Sequence, residues 1–559
     1  TKIFIMRNKF FSKVFLISFF VYSVVASSKL NSKPPDDIYD RINRNLQKFG
    51  EVYREVTLNY VDEINTDMFM RAGIEGMLST LDPYTGFYDE VNANEIDLIT
   101  NGKYGGIGIT VGVHGNSVVI TDVMNGYEAQ RRGLKIGDKI ITIDGKEINP
   151  SMYNELNKIV RGTVGTPLFV QIKRDDEIID FNLTREEIIL KNISYYGYIG
   201  DEQTGIGYFK LDRFTANTAN EVDNVIKTMK STGDLKGLII DLRNNTGGLL
   251  DAATGLLNKI LPKNSLITII KGRKPESEKK IFSTEDPLVS PEIPLVVLIN
   301  GNTASASEIV AGAVQDLDRG IIVGEKSFGK GLVQVIKNIG DDAQLRITTS
   351  RYFTPSGRWI QTKNYFKENE GGVFINTREF SQQEFKTLNG RTVYAFGGIT
   401  PDIEVNLMSE SDIHKELSRN DMFFKFASYY LDKNPLSGVF KVDENTFIEF
   451  KSFLAQSGFE YHSKVEKELA ELKNLAVEQT YSEEFISSIS RLEAEAENKS
   501  EEEMQTYRNE ILRSIESEIN KRLIEEFEQV KSTLGSDMQL FEAVEIIKDV
   551  PRYNRTLGK

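Results

Sequence analysis

The chain has 559 residues, 40% hydrophobic and 27% charged, an ordinary globular balance with room for about three or four domains. Its net charge of −14 argues against non-specific nucleic-acid binding, and with no cysteine it can hold no disulfide, thiol nucleophile or cysteine zinc site. The three histidines, His114, His414 and His462, leave 115–413 without an imidazole, so a Ser-His-Asp triad in that interval would need His114 or His414 from outside it.

Residues 1–27 read as an export signal or anchor. Arg7, Lys9 and Lys13 are basic, 14–26 are apolar, and Val24-Val25-Ala26 offers small residues before Ser27. The run is short for a membrane span; left uncleaved, it would tether the chain to a membrane. Thr1 opens the sequence, and Met6 is the expected start of translation. The expected compartment is the periplasm or cell envelope.

A helical N-terminal domain is expected over 34–98. Ile38, Ile42, Leu46, Phe49, Tyr53, Val56 and Tyr60 recur at helical spacing, and a second helical stretch over 68–81 ends at Asp82-Pro83. Over 100–187, strands are expected at 117–123, 139–143, 167–173 and 178–183, with helices near 128–132 and 151–160. Gly-rich turns join them. Gly105-Gly106-Ile107-Gly108-Ile109 opens this segment. The order resembles a circularly permuted bacterial PDZ domain, which adds a peptide to a strand edge. That resemblance implies that Ile107, Gly108 and Ile109 capture a terminal carboxylate; glycine in a strand otherwise marks a bulge.

Over 190–408 strands and helices alternate, the signature of a layered α/β core. Strands are expected at 205–211, 238–242, 295–299, 320–323 and 332–336, and helices at 216–230 and 249–261. Ligands in such sheets bind beyond the carboxyl ends of the strands. Gly247-Gly248 and Ser305 both follow strand ends, so they can converge. Ser305 sits where a strand turns into a helix whose apolar residues fall at Ala306, Ile309, Val310, Ala313 and Val314. The same Ser-Ala-Ser-Glu also fits a capping box, with Ser305 as N-cap and Glu308 three residues on. Gly324 to Lys330 nearly spells a phosphate-binding loop. Gly331 stands where Ser or Thr is needed, however, and a strand rather than a helix follows. Residues 364–389 read as a polar insertion. From 409 to 559 the chain is helical and charged, with a packing stripe through Met504, Tyr507, Ile511, Ile515, Ile519, Leu523 and Phe527.

Four separated motifs agree: Asp241-Leu-Arg-Asn-Asn-Thr-Gly-Gly248, Thr303-Ala-Ser-Ala-Ser-Glu308, Gly324 to Gln334, and Tyr352-Phe-Thr-Pro-Ser-Gly357. With Leu81-Asp82-Pro83 and the PDZ segment, they resemble the C-terminal processing (tail-specific) serine peptidases over about 38–405. The resemblance implies a ClpP/crotonase-like spiral-sheet core with an inserted PDZ domain. It implies Ser305 as nucleophile, Lys330 as general base and Gln334 as the residue that orients the lysine. The oxyanion hole would be the N–H groups of Gly248 and Ala306, with Gly247 as alternative donor. Asp316 and Glu308 match acidic positions that support structure. Ser327 stands where threonine is common, and Lys326 shares the loop as a rival base. No metal or organic cofactor is implied. The implied partners are protein or peptide substrates with free C-termini; a homo-oligomer stays open.

The chemistry needs an uncharged lysine. At an ordinary pKa of ~10.4 only about 0.04% is neutral at pH 7, and burial is the available means of lowering it. Phe328 and Leu332 are the expected walls. Two rival readings remain: a non-catalytic PDZ scaffold on a peptidase-like core, and an acyl-transfer or hydratase enzyme on a related core.

Overall fold

The computed structural model describes residues 38–559 apart from 90–92, 175, 201–203, 341–342, 364, 366, 369–373, 376–382 and 407–409. The expected export segment, 1–27, lies outside the described residues, as does much of the 364–389 insertion. The chain divides into two compact units, 1–80 and 81–559.

In the first unit two helices, Ile38–Asn59 and Thr66–Leu78, bury no residue. The second is capped by Asn65, whose side chain accepts the Met68 N–H. Tyr53 ties the pair by stacking on Phe69 and donating its hydroxyl to the Thr66 carbonyl at 2.8 Å. The unit ends at residue 80 rather than 98. The next segment supplies a strand, Gly86–Tyr88, that pairs with Ala343–Phe353 in the second unit and so folds there.

The second unit is built on a six-stranded sheet. Its order is Ile193–Tyr198, Ile206–Leu211, Gly237–Asp241, Leu295–Ile299, Ile321–Gly324 and Ile403–Glu404, parallel from the second strand onward. The central strands are covered on both faces, which explains their unbroken apolar sequence. Leu238 and Ile240 face the helices Thr218–Thr232, Leu250–Asn258 and Ala306–Asp316. Ile239, Val296 and Leu298 face the other way, onto Leu540, Ala543, Ile546, Ile547 and Tyr553. Each such fully buried aliphatic side chain contributes about 1.5–3 kcal/mol.

That second face corrects the expected 409–559 domain. Its last two helices, Met538–Lys548 and Val550–Thr556, leave the helical region and roof the sheet. The Tyr553 hydroxyl bonds both the N–H (2.9 Å) and the carbonyl (3.1 Å) of Leu295. Of the remaining helices, Asp412–Arg419, Met422–Lys433, Glu444–Gln456 and Arg508–Leu523 share a core of their own, with Ile511, Ile515 and Ile519 beside Phe423, Phe426, Phe447 and Phe450. The sequence stripe is therefore a packing face, interrupted at Tyr507, where one helix ends and the next begins. Phe527 departs from it and packs on Tyr195, ring centroids 4.6 Å apart.

A second sheet joins Leu266–Gly272, Lys279–Phe282, Leu332–Ile339 and Ala343–Phe353 with the Gly86–Tyr88 strand. The inserted domain has its own sheet, in the order Ile109–His114, Ser117–Val123, Lys139–Ile143, Pro167–Arg174 and Glu177–Thr184. Its expected strands and helices fall within a residue or two of the sequence reading. Ile109–His114 is an edge strand, paired on one side only. His114, at its end, pairs with Asp421 at 2.8 Å and stacks on Phe424, both of the helical region.

Candidate active site

Three adjacent parallel strands end side by side and deliver three loops. After Gly237–Asp241 comes the loop to Gly248; after Leu295–Ile299, the turn to Ser305; after Ile321–Gly324, the loop to Lys330. Asn245 fastens the first to the second. Its carbonyl accepts the Ala304 N–H (3.0 Å) and the Ser307 hydroxyl (2.9 Å), while its side chain reaches the Leu211 carbonyl (2.8 Å). Thr303 adds a bond from its hydroxyl to the Leu242 carbonyl at 2.9 Å. A Cβ added to Gly247 would stand 2.9 Å from the Ser305 Cβ and from the Ala306 nitrogen. The glycine pair and the serine do converge.

Ser305 is held at φ 57° and ψ −115°, where non-glycine residues are strained by about 1–3 kcal/mol. A helix buried at every position, Ala306–Asp316, fixes the turn from below. The Tyr352 hydroxyl donates to the Ser305 carbonyl at 3.1 Å. Ser305 and Glu308 stand as the expected capping box, with Glu308 accepting the Ser305 N–H at 2.8 Å.

Glu308 does more than cap. It is fully buried, and one oxygen accepts the N–H groups of both Ser305 (2.8 Å) and Lys330 (2.9 Å). The two nitrogens are therefore no more than about 5.7 Å apart, the two bonds laid end to end. The other oxygen accepts the Gly329 N–H (2.7 Å) and the Ser327 hydroxyl (2.6 Å). Burial pushes the carboxyl above its usual range, and these four donors act against that rise.

Lys330 is brought down to about 8, chiefly by burial and secondarily by the charge of Arg346; Asp82 and Glu308 oppose the fall. Lys326, the rival in the same loop, is exposed. The expected walls are only half right. Leu332 is buried, but Phe328 is 47% exposed. Tyr84 replaces it, its ring centroid 4.1 Å from the lysine Nζ. The signal for Tyr84 was present in sequence, directly after Leu81-Asp82-Pro83, with nothing there to say what it covers.

Among the described residues, no hydrogen bond joins the Lys330 amine to Ser305 or Gln334. The Gln334 amide donates instead to the Thr348 hydroxyl at 3.0 Å. Thr348 is tied to Thr85, whose hydroxyl donates to Asp82 at 3.0 Å. Of the oxyanion candidates, Gly247 spends its N–H on the Asn245 side chain (2.9 Å). The N–H groups of Gly248 and Ala306 have no acceptor among the described residues. Asp316 pairs with buried Arg358 at 2.7 Å, a structural role. The histidines are engaged elsewhere: His114 with Asp421, His414 with Ser514, His462 beside Glu460 and Glu466.

The profile of Peptidase family S41 matches 205–371, that of a PDZ domain matches 105–184, and that of a probable PDZ-protease C-terminal helical domain matches 413–547. A carboxy-terminal-processing protease of Bartonella bacilliformis is 38% identical over 323 residues, 57% of this chain and 73% of that protein. The chain belongs to the carboxy-terminal-processing serine peptidases. A probable CtpA-like serine protease of Staphylococcus aureus is 31% identical over 322 residues, 57% of this chain and 63% of that one. Among solved structures, the photosystem II D1 C-terminal processing protease is 24% identical, covering 63% of this chain and 85% of its own, at a TM-score of 0.36. A putative S41 protease from Bacteroides fragilis is 16% identical, covering 62% and 84%, also at 0.36.

The glycine-rich loop of the inserted domain leaves two donors without an acceptor. Gly105 to Gly108 are buried, and the N–H groups of Ile107 and Gly108 have no acceptor among the described residues. The carbonyls of Ile107 and Gly108 are spent on Ala129 (3.0 Å) and Met124 (2.9 Å), which holds the loop open around those donors. Ile109 begins the edge strand beside them.

Proposed function

We propose that this peptidase cleaves exported proteins with unstructured C-terminal tails, using a Ser305–Lys330 dyad and an acyl-enzyme. One observation carries the reading: a single Glu308 oxygen holds the main chain of both Ser305 and Lys330, in a pocket that lowers the lysine to about 8. At that value about a tenth of the amine is neutral at pH 7, against about 0.04% for an ordinary lysine.

In this scheme the tail adds as a strand to Ile109–His114, its carboxylate on the N–H groups of Ile107, Gly108 and Ile109. The lysine leaves the Tyr84 ring for the Ser305 hydroxyl as substrate fills the site. Neutral Lys330 takes the Ser305 proton while Oγ attacks the peptide carbonyl carbon. The tetrahedral oxyanion is held by the N–H groups of Gly248 and Ala306, each worth about 10²–10³ in turnover. Its collapse breaks the C–N bond, and the lysine ammonium protonates the departing amine. Water, deprotonated by Lys330, then releases the acyl group and restores Ser305. Gln334 anchors, through Thr348, the strand that follows Lys330 rather than touching the amine.

The test is incubation of an unfolded protein bearing an apolar or a polar tail with wild type, Ser305→Ala and Lys330→Ala, read by intact mass. Wild type is expected to cleave the apolar-tailed protein and both variants to leave it whole. Turnover by either variant overturns the assignment, and Lys326→Ala with full activity separates the two lysines.

We place the enzyme in the periplasm or cell envelope, with 1–27 as signal or anchor. Among the described residues no helix is long and apolar enough to cross a membrane. Mass spectrometry of the mature N-terminus decides; an intact Arg7 region in cytosolic protein refutes the placement.

A further inference from the structure

The last part of the chain reaches the candidate active site through a charged contact. Asp537 precedes the roof helix Met538–Lys548 and caps it, its carboxylate accepting the Leu540 N–H at 3.0 Å. The same carboxylate takes both terminal nitrogens of Arg243, Nη1 on Oδ1 at 3.0 Å and Nη2 on Oδ2 at 2.6 Å. A forked pair of this kind fixes orientation as well as distance. Arg243 Nη1 donates again to the side-chain oxygen of Gln539 at 3.0 Å, and buried Gln539 is anchored by donating to the Val405 carbonyl at 2.8 Å.

Arg243 stands at the root of the loop that ends in Gly248. Its other edge is held by Asp241, the last residue of its strand, which is itself buried and accepts the Tyr208 hydroxyl at 2.8 Å. The guanidinium thus spans from the sheet to the roof. The next residue, Asn244, adopts a left-handed φ of 62° and accepts side-chain N–H bonds from Asn300 (2.9 Å) and Asn302 (3.1 Å). Asn245 then ties to Ala304 and Ser307. Three consecutive residues are therefore fixed in turn to the roof, to the Asn300 turn and to the serine turn. Beyond them Phe214 holds the far end, donating its N–H to the Gly247 carbonyl (3.1 Å) and accepting that of Leu249 (2.8 Å). The Gly248 N–H lies between these fastenings, so its direction follows from where the root is pinned. By contrast, the tie from Tyr553 to Leu295 meets its strand at the first residue, at the end of the sheet away from the loops.

We propose that Asp537 is a positioning residue for the oxyanion donor of Gly248: by pinning Arg243 it sets the loop that carries this N–H, so that the C-terminal region contributes to turnover as well as to packing. An oxyanion donor stabilises charge when it already points at the developing oxygen, and a small rotation of its loop forfeits much of that. The packing of Leu540, Ala543 and Ile547 on the sheet does not supply such direction, because apolar burial is non-directional. The inference rests on the Ser305–Lys330 reading above and adds to it what holds the oxyanion site in place.

The experiment uses the full chain. A short peptide substrate gives kcat and KM, and a peptide boronic acid, which forms an anionic tetrahedral adduct on a serine hydroxyl, reports the oxyanion donors. Asp537→Asn and Asp537→Ser each keep an N-cap and remove the carboxylate. Ile547→Ala, in the same helix where it packs on Gly237 at the start of its strand, is the control for lost packing. Both Asp537 variants are expected to lower kcat about tenfold at unchanged KM and to weaken the boronate by about the same factor. Ile547→Ala should lower the thermal midpoint and keep kcat within about twofold of wild type. Wild-type kcat in the Asp537 variants, a fall in kcat with undiminished boronate affinity, or an equal fall in Ile547→Ala overturns the inference and leaves the dyad standing. Boronate binding that survives Ser305→Ala removes Ser305 as nucleophile, and this inference with it.

Discussion

At Ser305 the main-chain donors are mostly taken. Those of Ser305, Gly329 and Lys330 end on Glu308 and that of Gly247 on Asn245, while those of Gly248 and Ala306 have no acceptor among the described residues. At the glycine-rich loop of the inserted domain the carbonyls of Ile107 and Gly108 are taken and, among the described residues, their N–H groups have no acceptor. Both places use glycines at positive φ, Gly247 and Gly248 in one, Gly108 in the other. The core thus ties down the turns that carry Ser305 and Lys330 through buried acceptors, whereas the loop leaves adjacent donors for a ligand to complete. A catalytic site gains from being built before substrate arrives. A recognition loop gains from donors that only the right ligand satisfies.

The largest break in this comparison comes at the shared carboxylate. Glu308→Gln turns an acceptor on four donors into a group that points N–H at N–H. It is expected to lower kcat about 100-fold or more and to lower the thermal midpoint, since an unsatisfied buried donor costs about 1–3 kcal/mol. Turnover close to wild type with an unchanged melt would show that Ser305 and Lys330 are aligned by something else.

Tyr84 tests whether the lysine's environment is as prebuilt as its backbone. Tyr84→Ala admits water to the Lys330 amine. Burial lowered that amine, so exposure raises it toward the ordinary lysine range. The base is active when neutral. Wild-type kcat/KM should therefore rise with pH through about 8, and the rise should move about one unit upward in Tyr84→Ala, an activity loss of about tenfold at pH 7. Tyr84→Phe keeps the ring and should keep the profile. An unshifted profile in Tyr84→Ala removes the ring from the account.

The smallest effect is expected in the loop. Gly108 sits at φ 80°, and a Cβ there would meet the Tyr127 Cβ at 2.6 Å. Gly108→Ala should raise KM for a tailed protein about fivefold while leaving kcat on a short peptide unchanged, since the strain stays within the inserted domain. A fall in kcat on the short peptide would mean that the two sites are less separate than their hydrogen bonding suggests.

Much of this was legible beforehand. Periodicity located the strands 117–123, 139–143 and 295–299 to the residue, because buried strands and their glycine turns leave local marks. The motif strings marked Ser305, Lys330 and Gly248, and strand ends explained why they could meet. The N-terminal boundary was misplaced because Gly86–Tyr88 is a strand only by virtue of a partner more than 250 residues away, which no window of sequence contains. The reach of the last two helices was missed for the same reason: an amphipathic helix shows that it needs a partner and not which one.

The amino-acid order by itself determined most of the elements, the absence of thiol chemistry, and the serine–lysine pairing as a candidate. Only the tertiary structure decided what surrounds that lysine: Tyr84 rather than Phe328, a carboxylate shared with the serine turn, and burial enough to bring it to about 8. The reason is that a pKa depends on desolvation and charges gathered from distant parts of the chain, whereas propensity and periodicity are properties of neighbours in sequence.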